Sequence, residues 1–427
     1  MNIAVIGLGY IGLPTAALLA EAGHRVYGYD ANARLRRSLQ SGEIPSAEPP
    51  VREIAEEALR TGRLLVVDRI PSVHAYILCL PTPTHEGKPD MRYVETAAAA
   101  VANVAEPGSI LVLESTVPPG ATDRIFARAL EAAGKNIDRY CIAHCPERVI
   151  PGAIVTELRA NARVIGGRVP ADARIVADLY SSFCQGPISL TTTRTAEFVK
   201  IVENTYRDVN IAFANELAII SEELDIDVWE AIGLANKHPR VNILAPGPGV
   251  GGHCIPVDPQ FLSDANPLVT ELIQAARRVN DRMPYRIVRR ISALVEPGAG
   301  RKIALLGAAY KADVDDVRES PAVRIEAMLR DRGYTTAVYD PHVKQFHRPL
   351  ARRIEDAAAG ADALVLVTPH TCFESIRPEE MAAIVRTPRL IDTRNFFDSD
   401  RWRESGFECY TLGRSLEVEP AATTAVA

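Results

Sequence analysis

A glycine-rich motif between two short apolar runs, near the N-terminus, constrains the fold of this chain more than any other feature. The run at residues 2–6 has the length and composition of a buried strand, and G-x-G-x-x-G follows it at residues 7–12. Residues 13–22 are rich in helix formers, and a second strand-like run at residues 24–29 ends at Asp30. The order strand, glycine turn, helix, strand, acid predicts a parallel βαβ unit that binds a dinucleotide.

Each residue of this motif has a physical task in dinucleotide binding. Gly7 makes the turn, Gly9 lets the backbone approach the pyrophosphate, and Gly12 lets the helix pack on the strand. The helix N-terminus directs partial positive charge toward the phosphates. The Asp30 carboxylate would bond the ribose hydroxyls and repel a 2′-phosphate, so we expect NAD rather than NADP. The alternative interpretation is a tight structural turn without a ligand.

Length and charge narrow the class of protein further. At 427 residues the chain is too long for one compact core, so two or three domains are expected. The formal net charge of -6 argues against a general nucleic-acid surface. The 7 cysteines have neither metal-site nor disulfide spacing, which is typical of a reducing compartment. Because no stretch resembles a signal or membrane-spanning segment, we expect a cytoplasmic protein without a metal, nucleic-acid or membrane partner.

Beyond the motif, strand and helix patterns alternate regularly. Strand-like runs recur at residues 76–80, 109–113 and 139–143, and helical stretches at 94–105 and 123–133 separate them. This alternation predicts an α/β fold with a doubly wound parallel sheet.

Two threonines lie in the turns that follow these strands. Thr82 follows the first run and Thr116 follows the second. Ligands of such sheets bind outside the carboxyl ends of the strands, so both are candidate cofactor contacts. Ordinary turn chemistry is the alternative for each.

The middle of the chain changes to long helical patterns, at residues 195–236 and 269–294. We expect these helices to join two lobes and to provide a homodimer surface. Lys200, Asn204 and Arg207 recur at spacings that place them on one helix face. That face is either a functional surface or an ordinary solvated one.

The last third of the chain repeats the order of the N-terminal motif in weaker form. A strand-like run at residues 302–306 leads through a turn at 307–311 to a helix at 322–332, and the run at 337–341 contains an acid near its end. The full glycine fingerprint is missing, so we expect a different nucleotide here. The predicted domains are a NAD-binding Rossmann domain at 1–190, a central helical and dimerisation domain at 191–295, and a second Rossmann-like domain at 296–427.

A cysteine loop with the sequence GGHCIPVDP occupies residues 251–259. It presents Cys254 between glycines and prolines, with Asp258 four residues on. A thiol in such a loop is a candidate nucleophile when its surroundings favour the thiolate. The alternative is a small buried apolar side chain, as most free cysteines are. Because the chain also carries a dinucleotide-binding motif, we favour the interpretation of Cys254 as a nucleophile.

Three motifs together resemble the UDP-glucose/GDP-mannose dehydrogenase family of NAD-dependent nucleotide-sugar 6-dehydrogenases. They are GLGYIGLP at residues 7–14, PGPGVGGHCIPVDP at 246–259 and GAAYKADVDDVRESP at 307–321. The resemblance covers nearly the whole chain. It implies two Rossmann-like domains joined by a long central helix, with NAD in the first and a UDP-sugar in the second.

Within that family, three segments are most similar to enzymes that oxidise UDP-N-acetyl-D-mannosamine: residues 145–152, 204–210 and 234–242. Pro151 stands where UDP-glucose dehydrogenases have a second glutamate. The resemblance implies a four-electron oxidation of C6 to the uronate, using two NAD per sugar, in polysaccharide biosynthesis. UDP-N-acetylglucosamine, UDP-N-acetylgalactosamine and UDP-glucose are the alternative substrates.

The resemblance also implies residue roles. Cys254 would trap the aldehyde as a thiohemiacetal, Lys200 and Asn204 would act on the alcohol oxygen, and Asp258 would orient water through Lys200. It does not say which group is the base. The matching NAD contacts are Gly7, Gly9, Tyr10, Ile11, Gly12, Asp30, Thr82, Thr116 and Arg318. The matching sugar-nucleotide contacts are Arg148, Val149, Lys200, Asn204, Arg207, His238, Arg240, Gly251, Tyr310 and Lys311.

Two other classes of protein could share this fold. One is a catalytically silent NAD-binding sensor, which has no need of Cys254, Lys200, Asn204 and Asp258 together. The other is a two-electron hydroxyacid dehydrogenase, which shares the helix lysine and asparagine and needs no loop cysteine.

Overall fold

The structure is a computed structural model that describes residues 1–46, 48–85, 88–150 and 152–415. Pro151 therefore lies outside the described residues. The chain forms two compact units. The first unit comprises Met1–Glu203 with Gln260–Ala265, and the second comprises Asn204–Pro259 with the described residues from Asn266 onward. The predicted division into three domains stays a prediction.

The first unit contains one large sheet and one short strand pair. Its strands are β1 (Asn2–Ile6), β2 (Arg25–Tyr29), β3 (Leu64–Val66), β4 (Ala75–Leu78), β5 (Thr84–His85), β6 (Lys88–Pro89), β7 (Ile110–Leu113), β8 (Cys141–His144), β9 (Arg163–Gly167) and β10 (Ile188–Thr192). Eight of them form the sheet in the order β10-β9-β8-β7-β4-β1-β2-β3, while β5 and β6 form a separate antiparallel pair. All pairings in the sheet are parallel except β8 with β9.

Helices cover both faces of this sheet. They are α1 (Gly12–Glu21), α2 (Ala33–Gln40), α3 (Pro49–Arg60), α4 (Arg92–Val104), α5 (Ala121–Ala132), α6 (Ile154–Ala160) and α7 (Pro170–Tyr180). Alternate residues of β1 show the two-sided core: Ile3 and Val5 belong to one buried cluster, while Ala4 and Ile6 belong to another. Because side chains alternate across a strand, a short run of apolar residues serves both faces.

A helix of 32 residues, α8 (Thr193–Leu224), carries the chain from the first unit into the second. The sequence pattern predicts one helical stretch to residue 236, but the helix ends at Leu224. The physical reason is local: Asp225 has a φ of 60°, and the Asp227 carboxylate caps a new helix by accepting from the backbone N–H of Trp229 at 2.8 Å.

The remaining helices are α9 (Val228–Ala235), α10 (Asp258–Ala265), α11 (Glu271–Leu294), α12 (Pro321–Asp331), α13 (Ile354–Ala358), α14 (Pro378–Ala382) and α15 (Ser399–Glu404). Across the part of the chain that the structure describes, no helix is both long enough and apolar enough to cross a membrane.

The second unit contains a smaller parallel sheet. Its strands are β11 (Lys302–Leu306), β12 (Thr335–Tyr339), β13 (Ala363–Leu366), β14 (Arg389–Asp392) and β15 (Glu408–Thr411), in the order β12-β11-β13-β14-β15. Ile303 and Leu305 of β11 face one buried cluster, and Ala304 and Leu306 face the other. The predicted fold class, α/β with two Rossmann-like doubly wound sheets, is confirmed.

Candidate active site

The glycine turn after β1 has the geometry that a dinucleotide requires. Gly7 has a φ of +93°, and a Cβ there would lie 2.2 Å from the carbonyl oxygen of Cys79. A Cβ at Gly12 would lie 1.8 Å from the Gly7 carbonyl oxygen, so only glycine lets α1 start this close to β1. By contrast, a Cβ at Gly9 would meet no atom within 4 Å. The turn is thus packed against neighbouring backbone at Gly7 and Gly12, while there is open space beside Gly9.

Asp30 lies directly after β2, beside this turn. One carboxylate oxygen accepts from the backbone N–H of Leu8 at 2.8 Å, and the other accepts from that of Asn32 at 2.8 Å. These two bonds hold the acid between the glycine turn and the end of β2. Its negative charge favours a ribose diol over a phosphate.

The other predicted cofactor contacts of the first unit lie at the same edge. Thr82 follows β4, which pairs with β1, and Thr116 follows β7, which pairs with β4; both threonines are half-buried. Tyr10 is 47% exposed, and its hydroxyl donates to the Glu48 carboxylate at 2.9 Å. Ile11 is half-buried at the start of α1. Together they border the switch point between β1 and β4, where ligands of such sheets bind.

Lys200, on α8, is only 5% exposed, and its ammonium nitrogen lies 3.6 Å from a carboxylate oxygen of Glu147. The other oxygen of Glu147 accepts from the backbone N–H of Val149. Burial and the charge of Lys200 lower the pKa of the adjacent His144 to about 3. Glu147 is absent from the predicted site residues; the signal for it is a carboxylate placed directly after β8, at the sheet edge where ligands bind.

Arg148 is predicted to hold the substrate, but its guanidinium is already engaged. It donates to both carboxylate oxygens of Glu203, through Nε at 3.0 Å and through Nη2, and Nη1 donates to the Ala162 carbonyl at 2.7 Å. Glu203 therefore neutralises this cation within the first unit. A phosphate contact from Arg148 would require the exchange of that ion pair.

Three of the predicted catalytic residues come together in the second unit. Asn204 is fully buried; its Nδ2 donates to the Asp258 carboxylate, and its Oδ1 accepts from Arg207. Asp258 begins α10, and its backbone N–H donates to the Cys254 carbonyl at 2.8 Å. The orientation of the Asn204 amide is fixed because both of its ends are bonded.

The cysteine loop packs tightly against the motif at residues 307–321. A Cβ at Gly251 would lie 2.7 Å from Tyr310 Cβ and 2.8 Å from the Glu319 carbonyl oxygen. The backbone N–H of Gly252 donates to the Arg318 carbonyl at 2.9 Å. Burial raises the pKa of Tyr310 to about 12, so this side chain is a neutral phenol beside the loop.

Cys254 is half-buried in its loop, and three thiols of the first unit are held in the neutral form. Burial raises the pKa of Cys141 and Cys145 to about 12. Burial and Glu114 raise the pKa of Cys79 well above its usual range. These three groups stay thiols at neutral pH and are poor nucleophiles.

The predicted cations of the second unit have different surroundings. Arg318 forms a two-nitrogen contact with Asp316, at 3.0 and 2.6 Å, and Lys311 is half-buried. His238 and Arg240 are exposed next to each other, with Arg240 Nη2 3.4 Å from His238 Nε2.

Arg394 is a cation that the sequence-based site omits. It follows β14, and a Cβ at Gly247 would lie 2.3 Å from its Nη1. Burial lowers the pKa of Arg394 to about 10. The nearby Asp392 carboxylate accepts from backbone N–H groups, including that of Arg394 at 2.8 Å, and no described residue forms an ion pair with the guanidinium. The signal for it is an arginine directly after a parallel strand.

The first turn of the second sheet does not repeat the dinucleotide site. Asp340, the counterpart of Asp30, accepts from the backbone N–H groups of Ala308 and Ala309 at 2.7 and 3.0 Å, and from His370 Nε2 at 2.9 Å. Hydrogen bonds within the protein therefore occupy the Asp340 carboxylate, so it does not offer the ribose contact expected of Asp30. This agrees with the expectation of a different nucleotide here.

One group in this region has metal-ligand chemistry: Asp313, His342 and His370, whose ligand atoms lie within 4.8 Å of one another. The Nδ1 of His370 already accepts from the Asp313 backbone N–H at 3.0 Å, and its Nε2 faces Asp340. His370 thus has no lone pair left for a metal in this arrangement.

Comparison with known proteins decides the family. Residues 1–184, 194–282 and 304–399 match the NAD binding, central and UDP binding domains of the UDP-glucose/GDP-mannose dehydrogenase family. The chain belongs to this family. It is therefore an NAD-dependent dehydrogenase, and the open turn at Gly9 with the acid at Asp30 fits that cofactor.

Several relatives in this family resemble the chain along almost its whole length. UDP-N-acetyl-D-mannosamine dehydrogenase of Methanocaldococcus jannaschii is 42% identical over 419 residues, 96% of each chain. NDP-N-acetyl-D-galactosaminuronic acid dehydrogenase of Ralstonia solanacearum is 40% identical, over 94% of this chain and 97% of its own. The solved UDP-D-ManNAc dehydrogenase of Pyrococcus horikoshii superposes with a TM-score of 0.91 at 41% identity, covering 97% and 99% of the two chains.

Proposed function

We propose that this dehydrogenase oxidises C6 of UDP-N-acetyl-D-mannosamine to UDP-N-acetyl-D-mannosaminuronate. The observation that carries the reaction is the arrangement around the cysteine loop, where the buried Asn204–Asp258 pair adjoins the loop of Cys254. The sugar follows from the relatives, because full-length proteins 42% identical to this chain act on it by name. A cytoplasmic place in polysaccharide biosynthesis is part of the same proposal.

Cys254 supplies the covalent step. The alcohol at C6 is oxidised to an aldehyde, and the thiol adds to the aldehyde to give a thiohemiacetal. The second oxidation converts this adduct to a thioester, which water cleaves to release the uronate and the thiol. NAD, when bound, would supply the hydride acceptor for the two oxidations, one NAD for each.

Asn204 acts on the sugar oxygen. One of its two amide N–H groups donates to Asp258, and we assign the other as the donor for the sugar oxygen that becomes anionic. Arg207 holds the amide oxygen and so prevents the amide from rotating. Asp258 therefore supports the hydrolytic water and the orientation of Asn204.

Lys200 and Glu147 move the protons. The 3.6 Å between the Lys200 ammonium nitrogen and a Glu147 carboxylate oxygen is the distance of an ion pair, and one bridging water would connect the two groups for proton transfer. Lys200 is the group that the family resemblance assigns, and Glu147 is the addition that the geometry supports.

The substrate is held by cations and by the loops that carry them. A UDP diphosphate is anionic, and a guanidinium bonds phosphate through two nitrogens. Arg394 joins the predicted contacts because its buried charge lies beside Gly247, in the segment that precedes Cys254. The full proposed set is Arg148, Val149, Lys200, Asn204, Arg207, His238, Arg240, Gly251, Tyr310, Lys311 and Arg394, while Arg318 contacts NAD.

A panel of UDP-sugars with NAD tests the substrate. We expect UDP-N-acetylmannosamine to give the highest kcat/KM and two NADH per sugar, with NADP as the control cofactor. The similar relative from Ralstonia solanacearum makes UDP-N-acetylgalactosamine the second candidate. The highest efficiency with UDP-glucose or UDP-N-acetylglucosamine would contradict the proposal, and no turnover with any sugar would favour a silent sensor.

A homodimer through α8 is also proposed. In the second unit this helix exposes Tyr206, Phe213, Ile220 and Leu224, at intervals of seven, seven and four residues. Such spacing aligns them along one stripe, and apolar stripes of this kind are typical of helix–helix interfaces. Sedimentation of the wild type and of Ile220→Glu tests this, and an unchanged mass for the variant would contradict it.

A further inference from the structure

A buried chain of polar side chains lies beside the start of the cysteine loop, and no step of the proposed reaction uses it. Its members are Asp208 and Asn215 on α8, and Arg277 and Asn280 on α11. All four are at most 8% exposed. We refer to these four residues as the anchoring network.

The network begins at Gly247, in the segment before the cysteine loop, and passes between two helices. Asn215 Oδ1 accepts from the backbone N–H of Gly247 at 2.8 Å, and its Nδ2 donates to Asn280 Oδ1 at 2.9 Å. Asn280 Nδ2 donates in turn to a carboxylate oxygen of Asp208 at 2.8 Å and to the Asp208 carbonyl at 2.9 Å. Each amide uses a donor and an acceptor, so each has a single orientation.

From Asp208 the contacts continue toward the residues against which the start of the cysteine loop packs. Arg277 donates to the Asp208 carboxylate at 2.6 Å and to Asp281 at 2.7 Å. Asp281 also accepts from Arg324 at 3.1 Å, and Arg324 donates to Glu319 at 3.0 Å. Glu319 has a φ of 51°, in the left-handed region.

The Glu319 backbone is the surface against which the loop packs. A Cβ at Gly251 would lie 2.8 Å from the Glu319 carbonyl oxygen, and Gly252 is bonded to the preceding carbonyl, that of Arg318. One connected set of contacts therefore fixes the backbone at two points: at Gly247, four residues before the cysteine loop, and at residues 251–252, where that loop begins. Cys254 follows the second of these points by two residues.

The residue types of the network indicate that it fixes the geometry of the backbone and does not serve stability alone. The second carboxylate oxygen of Asp208 is buried without a partner among the described residues, and burial raises the pKa of this group. Apolar side chains of similar size would fill the same space without this desolvation cost. Arg277 Nε also lacks a partner among the described residues. The amides of Asn215 and Asn280, in contrast, are bonded at both ends, and amides oriented in this way permit one arrangement of the backbone that they hold.

We propose that the anchoring network positions the cysteine loop, and through it the Cys254 thiol, for capture of the aldehyde. The four residues are positioning residues and touch neither the sugar nor NAD. The inference rests on the proposed role of Cys254 as the nucleophile. Its consequence is specific: loosening Gly247 moves the thiol away from the aldehyde, and the intermediate escapes after the first oxidation.

The test uses the full-length enzyme with Asn215→Ala and, separately, Asn280→Ala. Thr336→Val is the matched control, because it removes one 2.8 Å hydrogen bond to the buried Glu326 at the amino end of β12, away from the loop. Initial rates and NADH formed per sugar are measured with semicarbazide present to trap free aldehyde. Alkylation of Cys254 by iodoacetamide, followed on its own peptide by mass spectrometry, reads the thiol without any substrate.

We expect both network variants to lose about 10²-fold in the complete oxidation, since a displacement of roughly 1 Å has this effect on rate. NADH per sugar should fall from two toward one, with trapped aldehyde, at an unchanged KM for NAD. Alkylation of Cys254 should slow by about tenfold, which corresponds to an increase of about 1.36 kcal/mol in its activation barrier. Thr336→Val should keep wild-type values in all of these assays.

Two NADH per sugar and a wild-type alkylation rate in both variants would overturn the proposal, as would equal losses in Thr336→Val. If either alanine variant fails to fold, Arg324→Met serves instead, because Arg324 is partly exposed and its loss releases Glu319 and one contact of Asp281 while the four network residues stay intact; a wild-type aldehyde yield there would also count against the proposal. An inactive wild type would contradict the proposed function, while the alkylation rates would still decide the positioning role.

Discussion

Gly251→Ala isolates the contact between the cysteine loop and its support. The added Cβ would lie 2.7 Å from Tyr310 Cβ and 2.8 Å from the Glu319 carbonyl oxygen. Ordinary carbon–carbon contacts begin near 3.5 Å, so the loop must retreat by roughly 0.7 Å or more. Neither neighbour is a flexible side-chain end, and Gly251 has no positive φ, so the effect is steric.

The displacement predicts both kinetic and thermodynamic losses. A shift of roughly 1 Å in a reacting group costs about 10²-fold in rate, or about 2.7 kcal/mol in the activation barrier. Overpacking should also lower the free energy of unfolding by about 1–3 kcal/mol. The assay is kcat/KM by NADH absorbance for the UDP-sugar and for NAD, with denaturant unfolding of the same preparations. The NAD KM should stay near the wild-type value.

Gly233→Ala is the control for this substitution. A Cβ at Gly233, in α9, meets no atom within 4 Å, so the same chemical change should stabilise the helix by about 0.5–1 kcal/mol and leave the rates unchanged. A Gly251→Ala enzyme with wild-type kcat would refute the argument that this loop has no room to move. Equal losses in both variants would refute its steric basis.

Four further outcomes are expected. Cys254→Ser should retain nucleotide binding, measured by calorimetry, and should abolish the formation of two NADH per sugar, because the covalent trap is lost. Asp30→Asn should narrow the preference for NAD over NADP in kcat/KM, since the charge that repels a 2′-phosphate is removed. Arg394→Met should raise the KM for the UDP-sugar about 10- to 100-fold at constant NAD KM, the range of a charged hydrogen bond. The pKa of buried His144 is lowered to about 3, so on acidification this side chain takes up a proton in the unfolded state before it does so in the folded state. The free energy of unfolding should therefore fall below pH 6.5, by up to about 1.4 kcal/mol per pH unit. Urea titrations at several pH values should show a shallower fall for His144→Gln than for the wild type.

Local patterns predicted much of the fold because their causes are local. The glycine turn and the strands around it follow from spacing alone, and the structure gives β1 as Asn2–Ile6 and α1 as Gly12–Glu21. The helical pattern of the middle segment was also correct in kind, but its end was not. A left-handed Asp225 and the cap at Asp227 stop α8, and periodicity does not report either feature.

Partners distant in the chain could not be predicted in this way. The antiparallel pairing of β8 with β9 and the ion pair between Arg148 and Glu203 depend on how segments return to one another. Glu147 and Arg394 have ordinary neighbours in the sequence. Their placement at the carboxyl ends of strands is what makes them candidates for the site.

Short segments of the sequence were enough to predict the class of fold and the cofactor, because their residue types have few alternative uses, and the same kind of segment led to the prediction that Cys254 is the nucleophile. The tertiary structure decided the rest of the site. It paired Asn204 with Asp258, 54 residues apart, and Asn215 with Asn280, 65 residues apart. Such pairs are selected by the packing of whole helices, in which the free energy of many buried contacts sets the position of each polar group.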